Sequence, residues 1–205
     1  MLTFEKFLAD AANRGDGVNT LFEERLFGLV GVLHKITDTL NTQHIPHELI
    51  GGLAVLIYVE EANSEHTSLT RDVDLMVNRS DLERIKETAG KDGFRFRHAA
   101  GVDMLIYGPT ESARNAVHLV FSGEKVRPTQ ATPNPPIRPD LKHVHGKDVL
   151  VIPILDLIRM KLSSNRLKDQ VHIKSMDAAG LITSGAEATL TPELAARLKH
   201  VRETE

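Results

Sequence analysis

The segment Thr70-Arg71-Asp72-Val73-Asp74-Leu75-Met76-Val77 constrains the fold more than any other part of the chain. Its alternation of polar and apolar residues predicts a strand over residues 71–77, in which side chains two positions apart point to the same side. Asp72 and Asp74 then share one face, and the apolar residues between and after them occupy the other. Two adjacent carboxylates repel each other unless a cation or a proton lies between them. The strand therefore predicts a cation site, and Mg²⁺, which is commonly shared between carboxylates and substrate phosphates, suits it.

A pair of glycines precedes this strand. Gly51 and Gly52 follow a short strand predicted over residues 46–50 and begin a helix predicted over residues 53–61. Glycine adopts backbone angles closed to other residues and allows a ligand to approach closely. A helix start offers free N–H groups and the positive end of the helix dipole, which favour a phosphate. Each motif alone is often only a turn or a solvated strand face, but together they indicate a nucleotide-handling site.

The two motifs, Gly51-Gly52-Leu53-Ala54 and Thr70-Arg71-Asp72-Val73-Asp74-Leu75, resemble those of the polymerase-beta-type nucleotidyltransferase superfamily. More narrowly, they resemble the small bacterial AbiEii-like and minimal nucleotidyltransferases. A third segment, Asp156-Leu157-Ile158-Arg159-Met160-Lys161-Leu162 and then Arg166-Leu167-Lys168-Asp169, is similar to the helical segment after the catalytic sheet of AbiEii-like proteins. The resemblance implies an α/β (α+β) fold with a mixed sheet flanked by helices and a C-terminal helical segment.

The resemblance also implies a function, namely Mg²⁺-dependent (or Mn²⁺-dependent) transfer of a nucleoside monophosphate from NTP to an acceptor. It implies roles for these residues: Gly51, Gly52, Thr70 and Lys161 in nucleotide binding, Asp72 and Asp74 as metal ligands and catalytic residues, and Lys168 and Asp169 in catalysis. The AbiEii-like resemblance extends this to a toxin that acts on tRNA or another RNA, with a partner antitoxin protein.

Two alternatives to this function stay open. The first is a catalytically weak or inactive protein that keeps the fold to bind a nucleotide or a partner protein. The second is an antibiotic-modifying transferase of the same fold, whose acceptor pocket would be acidic, and for which Glu60, Glu61 and Glu65 are candidate residues.

Active members of this superfamily usually place a third carboxylate on a later strand, beside the Asp-x-Asp pair. The matching strand here is Ala116-Val117-His118-Leu119-Val120-Phe121, and His118 fills the acid position. A neutral imidazole can accept a proton near neutral pH, but Mg²⁺ prefers oxygen ligands to nitrogen. We therefore expect weak or absent transfer with Mg²⁺, intact nucleotide binding and better activity with Mn²⁺. Asp103 and Glu124 are the alternatives if the strand alignment is shifted.

Lys161, Lys168 and His172 are spaced seven and four residues apart, so a continuous helix would place them on one face, with Asp169 adjacent. This face is either a basic surface that meets phosphates or a solvated surface with local ion pairs. His143 and His145 would share one side of an extended chain. Zn²⁺ needs three or four ligands, so an incidental role is favoured for this pair.

The composition limits the protein class without selecting a substrate. The chain of 205 residues is 41% hydrophobic and 26% charged, with a formal net charge of −3, so there is no global attraction to nucleic acid. It contains no cysteine, which excludes disulfides and cysteine metal sites. No apolar run approaches the length of a membrane span, and the first residues lack the pattern of a signal peptide. A cytoplasmic protein with no membrane partner is expected.

The remaining pattern predicts the element order. The elements are a helix from Thr3 to about residue 13, a long helix over residues 19–42, a helix capped by Ser80 with Glu83 and ending near Gly93, strands at 94–98, 102–107, 116–121 and 149–152, a proline-rich connector at 127–139, and helices at 153–162, 165–179 and after the cap Thr191. The domain division predicted from this order is 1–43 for N-terminal helices packing on the core, 44–125 for the nucleotidyltransferase-fold core and 126–205 for the connector and C-terminal helical segment.

Overall fold

The computed structural model describes residues 15–63, 70, 72–108 and 116–204. The helices are α1 (Gly15–Thr42), α2 (Gly51–Ala62), α3 (Leu82–Lys91), α4 (Ile154–Ser164), α5 (Leu167–Ala178), α6 (Ser184–Glu187) and α7 (Pro192–Glu203). The strands are β1 (His47–Ile50), β2 (Val73–Val77), β3 (Phe94–Ala99), β4 (Val102–Tyr107), β5 (Ala116–Phe121), β6 (Asp140–Val144) and β7 (Lys147–Val151). The helix predicted from Thr3, together with Glu65 and Arg71, lies outside the described residues.

The strands form one seven-stranded sheet in the order β3-β4-β5-β2-β1-β7-β6. The pairs β2–β5 and β1–β7 are parallel, and the other neighbouring strands are antiparallel. The sheet is therefore mixed, as predicted. Strand β2, which carries Asp74, lies at the centre of the sheet, so both of its edges are paired and the position of this carboxylate is fixed by two neighbours.

Helix α1 packs on the sheet through the apolar residues that predicted it. Leu33, Ile36 and Leu40 recur at helical spacing and are fully buried in the core of the chain. This agrees with packing against the sheet and not with the alternative of a coiled-coil seam between two chains. The helix begins earlier than predicted, and nothing is described of its side chains before Leu26.

The helices form two groups around the sheet. Helix α1 contacts α3, and these two contact β2, β7 and β3. Helices α4 and α5 contact each other, and both contact α2 and α7. Helix α2 also contacts β1 and β2. In the part of the chain that is described, no helix combines the length and apolarity required to cross a membrane.

Several local predictions are wrong at the ends of elements. Strand β2 begins at Val73 instead of residue 71, so Asp72 directly precedes it. The capping box of Ser80 with Glu83 does not form, because a 3₁₀ turn over Arg79–Asp81 moves the helix start to Leu82 and makes Asp81 the N-cap residue. Pro153 likewise is the N-cap of α4 and not its first residue. Thr191 caps α7 as predicted, its hydroxyl accepting a bond of 3.3 Å from the N–H of Leu194.

Strand β6 was not predicted, and its position corrects the histidine pair. His143 lies in β6, whereas His145 lies in the following turn with a φ of 45°. The two rings therefore do not share one side of an extended chain. His143 pairs with Asp148 at 3.0 Å, and the His145 ring lies against Phe27 with ring centroids 5.0 Å apart.

The proline-rich connector contains no helix, as predicted, and side-chain hydrogen bonds hold it across the sheet. Asn134 is buried and donates to the carbonyl of Phe121 at 2.9 Å, and Gln130 donates to Asn134 at 2.9 Å. Further along, the N–H of Arg138 donates to the buried carboxylate of Glu48 at 3.0 Å. These bonds compensate for the N–H donors that proline lacks and fix the position of the connector.

Candidate functional site

A row of directly opposed residues crosses five strands of the sheet and carries the centre of the site. The register pairs Ile50 with Asp74, Asp74 with His118, His118 with Met104, and Met104 with Arg97. Directly opposed residues point to the same face of a sheet. These side chains therefore line one face in a fixed order, with a carboxylate and an imidazole side by side.

A cleft of about 510 Å³ lies over this row. Its floor is the sheet, and its walls come from the start of α2, from α4 and α5, and from the proline-rich connector. The predicted site residues that line it are Gly51, Gly52, Asp72, Asp74, His118, Lys161, Lys168 and Asp169. Thr70, the remaining one, is buried behind Gly52, where its hydroxyl lies 2.6 Å from the position that a Cβ of residue 52 would occupy.

The two carboxylates of the strand motif each face a basic side chain of the protein. Asp74 Oδ1 lies 3.0 Å from His118 Nδ1, and Asp72 Oδ2 lies 3.7 Å from Lys168 Nζ. Burial acts to raise the pKa of Asp74, but the hydrogen bond and charge of His118, aided by Lys161 and Lys168, outweigh it and hold this pKa below its usual value. The bond to Asp74 also raises the pKa of His118 against the opposing effect of burial.

The hydrogen bond to Asp74 fixes the tautomer of His118. An ionised carboxylate only accepts hydrogen bonds, so Nδ1 of the ring carries the proton that is shared with Asp74. In the neutral ring the lone pair is then on Nε2. An imidazole that is oriented by a carboxylate at Nδ1 and free to accept at Nε2 has the arrangement of a general base.

Side chains of the protein itself leave no room for a Cβ at Gly51 or Gly52. Gly51 has a φ of +77°, and a Cβ there would lie 2.0 Å from Asp74 Oδ2. At Gly52 a Cβ would meet the hydroxyl of Thr70 at 2.6 Å and the ring of His172 at 3.4 Å. The absence of side chains thus allows β2 and α5 to approach the start of α2, which brings the carboxylate beside the helix N–H groups.

We expect Gly51→Ala to lower the free energy of unfolding by at least about 2 kcal/mol, since the left-handed backbone and the displaced carboxylate both cost free energy. Gly90→Ala is the matched control, because Gly90 lies in helix α3 with no heavy atom near its added Cβ. That change should stabilise the protein by about 0.5–1 kcal/mol. Urea denaturation measures both, and equal stability of the two variants would contradict the role assigned to Gly51.

A turn between α4 and α5 interrupts the helix on which the basic face was predicted. Asn165 has a φ of 49° and ends α4, so the chain is not one continuous helix. Lys161 and Asp169 are brought together as a buried pair at 3.3 Å, and His172 is buried as well. Of the three basic residues of the predicted face, Lys168 alone is largely exposed, so the prediction of a solvated helix face is wrong for Lys161 and His172.

Asp169 is the centre of this buried group. Its carboxylate accepts from Arg166 Nε at 2.7 Å in addition to Lys161. Burial alone would raise the pKa of Asp169, but the bond to Arg166 and the charges of Lys161 and Arg166 lower it to about 2. Burial lowers the pKa of Lys161, against the attraction of Asp169 and Asp74. Burial, with the nearby lysine charges, also lowers the pKa of His172 to about 4, so this ring is neutral at pH 7.

The two alternatives for the third acidic position do not reach the cleft. Asp103 is opposite Leu119 in the register, and its neighbour Met104 is the residue opposite His118, so Asp103 points to the other face. It pairs with His98 at 2.5 Å and with Arg79 at 3.1 Å. Glu124 pairs with the same Arg79 at 2.7 Å.

Two of the acidic residues proposed for an antibiotic pocket, Glu60 and Glu61, are also outside the cleft, and Glu65 lies outside the described residues. Glu60 and Glu61 lie near the end of α2 opposite to the site, where Glu61 pairs with Lys142 at 2.6 Å. Neither residue lines the cleft.

Sequence reasoning missed three arginines of the cleft, namely Arg97 on β3, Arg127 on the connector and Arg166 before α5. Arg166 follows the basic helix in the third motif, which was the available signal. No local pattern singles out the other two, because their position depends on strand register and on the course of the connector.

The carboxylates of the cleft can be compared with the ligands that the divalent metal ion implied by the fold requires. Asp72 and Asp74 line one cleft, and two carboxylates with substrate phosphates and waters are a common set of Mg²⁺ ligands. Among the described residues no group of three or more His, Cys, Asp or Glu side chains could hold a metal ion. The donor set therefore fits one ion that completes its shell with substrate oxygens, in competition with Lys168.

No protein-family model and no curated protein matches this sequence. Solved structures do. The antibiotic-resistance factor ANT(2″)-Ia superimposes with a TM-score of 0.51 at 13% identity, over 85% of this chain and 91% of that chain. An antigenic nucleotidyltransferase-like protein from Paracoccidioides brasiliensis gives a TM-score of 0.55 at 14% identity, over 85% of this chain and 87% of that one. At such identities the likeness establishes the fold, and it confirms the prediction of a nucleotidyltransferase fold.

Proposed function

We propose that this protein is a nucleotidyltransferase that moves a nucleoside monophosphate from NTP to an acceptor hydroxyl. One observation supports this most strongly. The same cleft holds the Asp72–Asp74 carboxylates, the start of α2 at Gly51 and two lysines, Lys161 and Lys168. Free N–H groups and lysine charges suit a triphosphate, and the carboxylates suit the cation that accompanies it.

In the proposed reaction the oxygen of the acceptor hydroxyl attacks the α-phosphorus of NTP. The new O–P bond forms as the bond from the α-phosphorus to the bridging oxygen of the β-phosphate breaks, and pyrophosphate leaves with the bonding pair. The hydroxyl proton passes to Nε2 of His118, which Asp74 orients through Nδ1. Lys168 and the start of α2 bind the phosphate charge, and Lys161 is held by Asp169 close to the same position.

We further propose that Asp72 and Asp74 hold Mg²⁺ or Mn²⁺ together with the triphosphate. A bound ion of this kind neutralises phosphate charge and aligns the reacting groups. Asp74 can bind the ion through Oδ2 while Oδ1 keeps its bond to His118 Nδ1, whereas Lys168 must release Asp72 for the ion to bind both carboxylates.

NTP is expected to raise the melting temperature only when Mg²⁺ or Mn²⁺ is present, because a ligand that binds the native state stabilises it. Asp72→Asn and Asp74→Asn should each abolish the shift. Differential scanning fluorimetry with each NTP, with and without EDTA, measures it. An equal shift in EDTA would contradict the metal part of the proposal.

We expect Lys168→Ala to weaken nucleotide binding with little loss of stability, since Lys168 is half exposed and an exposed ion pair contributes only about 0–1 kcal/mol. Lys174→Ala is the control, as Lys174 is an exposed lysine of the same helix that does not line the cleft. Isothermal titration calorimetry with NTP should show reduced affinity for the first variant only. Unchanged affinity in both would make Lys168 a surface residue without a role in binding.

We also propose, on the basis of the AbiEii-like resemblance, a cytoplasmic toxin-like enzyme with RNA as acceptor and an antitoxin as partner protein. A gene for a small DNA-binding protein beside this one would support that extension. The second candidate function is a catalytically weak or inactive protein that binds nucleotide. It is favoured by one observation, the imidazole of His118 directly opposite Asp74, where a third carboxylate was expected.

A further inference from the structure

The far end of the cleft carries a positive charge that the proposed nucleotide site does not use. Arg97 lies three strands from Asp74 along the row of opposed residues. Since neighbouring strands are about 4.8 Å apart, the two backbones are about 14–15 Å apart. This spacing leaves room for an acceptor group between the reacting atoms and the guanidinium group.

The proline-rich connector, which forms one wall of the cleft, provides a second guanidinium group. Arg127 is exposed on the proline-rich connector and, like Arg97, lines the cleft. Within residues 15–63, 70, 72–108 and 116–204, neither guanidinium group makes a hydrogen bond or an ion pair. The other cations of the cleft have acidic partners: Lys161 and Arg166 pair with Asp169, and Lys168 pairs with Asp72.

Among the residues that the structure describes, the surface between Arg97 and His118 contains no acid. Met104 and Val102 of β4 and Ala99 of β3 line it. In the described part of the chain the acids that line the cleft are Asp72, Asp74 and Asp169, and each of them already faces a basic side chain. Among these described residues, a polycationic acceptor such as an aminoglycoside would thus meet two guanidinium groups and no unpaired carboxylate, which disfavours its binding.

We propose that the acceptor carries phosphate groups and that Arg97 and Arg127 bind them. This inference rests on the proposed nucleotidyl transfer and names the class of its acceptor. The planar guanidinium fork matches phosphate oxygens in a bidentate manner. A molecule that offers both a hydroxyl to accept the nucleoside monophosphate and phosphates for two arginines is a phosphorylated sugar, alone or within a nucleic acid strand.

The test measures binding to the full chain with three probes: a short single-stranded RNA, glucose 6-phosphate and the aminoglycoside tobramycin. Each is titrated in the presence of a non-hydrolysable NTP analogue. The variants are Arg97→Gln, Arg127→Gln and the double change. The controls are Arg95→Gln, which alters the same strand on the same face outside the cleft, and Lys125→Gln, two residues from Arg127 and also outside it.

We expect RNA or glucose 6-phosphate to bind, and each arginine change to weaken that binding about tenfold, with less than about twofold change in the controls. Binding of RNA but not glucose 6-phosphate identifies a nucleic acid acceptor, and the reverse identifies a small phosphorylated sugar. Tobramycin binding in place of both, or equal losses in Arg95→Gln and Arg97→Gln, would overturn the inference. So would the absence of binding by both phosphate probes.

The NTP-dependent rise in melting temperature separates this inference from the proposed function. It should be unchanged in Arg97→Gln and Arg127→Gln, because the proposed nucleotide site uses neither residue. If the wild type shows no NTP shift, the proposed transfer fails, whatever the phosphate probes do. If the shift is present and phosphate binding does not depend on the two arginines, the acceptor class fails alone.

Discussion

Asp169→Asn is expected to lower the free energy of unfolding by about 3–5 kcal/mol, because it leaves the buried Lys161 ammonium without its partner. The substitution keeps the size of the side chain, so the loss reflects charge and not a cavity. Urea denaturation at pH 7 measures it. Asp177→Asn is the control on the same helix, since Asp177 pairs with Arg202 at a partly exposed site and should contribute only about 0–1 kcal/mol.

The pH dependence provides a second measurement of the same carboxylate. The pKa of Asp169 is about 2 in the folded chain and near its usual 3.8 in the unfolded chain. A lowered pKa contributes stability that is fully present above the unfolded value and is lost as the pH falls through the folded value. The wild type should therefore lose about 2 kcal/mol more than Asp169→Asn between pH 5 and pH 2.

Replacing both members of the ion pair shows whether Asp169→Asn loses stability because a charge is left unpaired or because the site needs polar groups. Lys161→Met combined with Asp169→Leu removes both charges, and such replacements of buried ion pairs are often neutral or stabilising. We expect the double variant to be more stable than Asp169→Asn. Equal losses of unfolding free energy in Asp169→Asn and Asp177→Asn would show that the buried pair contributes no more to stability than the partly exposed one.

Local sequence patterns predicted the part of the site that depends on local structure. The alternation around Asp72 and Asp74 and the two glycines before a helix are short-range signals, and the structure brings these residues into one cleft. The position of His118 followed from the resemblance, and the parallel register of β2 with β5 places it opposite Asp74.

The rest of the site depends on contacts that short-range patterns do not contain. Arg97 reaches the cleft through the registers of β3, β4 and β5, which are set by pairing between distant segments. The burial of Lys161 and Asp169 depends on the left-handed turn at Asn165, which turns a predicted helix face into a contact between two helices. Strand β6 was missed because Asp-Leu-Lys-His-Val at a sheet edge lacks the apolar alternation of a half-buried strand.

His118→Ala is expected to reduce nucleotidyl transfer by about 100-fold or more, since a positioned general base contributes about 10²–10⁴-fold. Labelled NTP with RNA and with protein as acceptors provides the assay. His98→Ala is the control, because His98 is an exposed histidine paired with Asp103 on the other face of the sheet. Both variants should keep the NTP-dependent rise in melting temperature, so that the loss is assigned to the transfer step and not to nucleotide binding.

His118→Asp tests why the wild type should be slow with Mg²⁺. The variant places a third carboxylate directly opposite Asp74, where Mg²⁺ finds the oxygen ligand it prefers, while the wild-type imidazole favours Mn²⁺, which accepts nitrogen more readily. We therefore expect wild-type transfer to be faster with Mn²⁺ than with Mg²⁺, and His118→Asp to shift the ratio toward Mg²⁺. Fast Mg²⁺-dependent transfer by the wild type that His118→Ala leaves unchanged would mean that another residue completes the site. In that case His118, which lies opposite Asp74 in the strand register, would only pair with Asp74 in the absence of substrate.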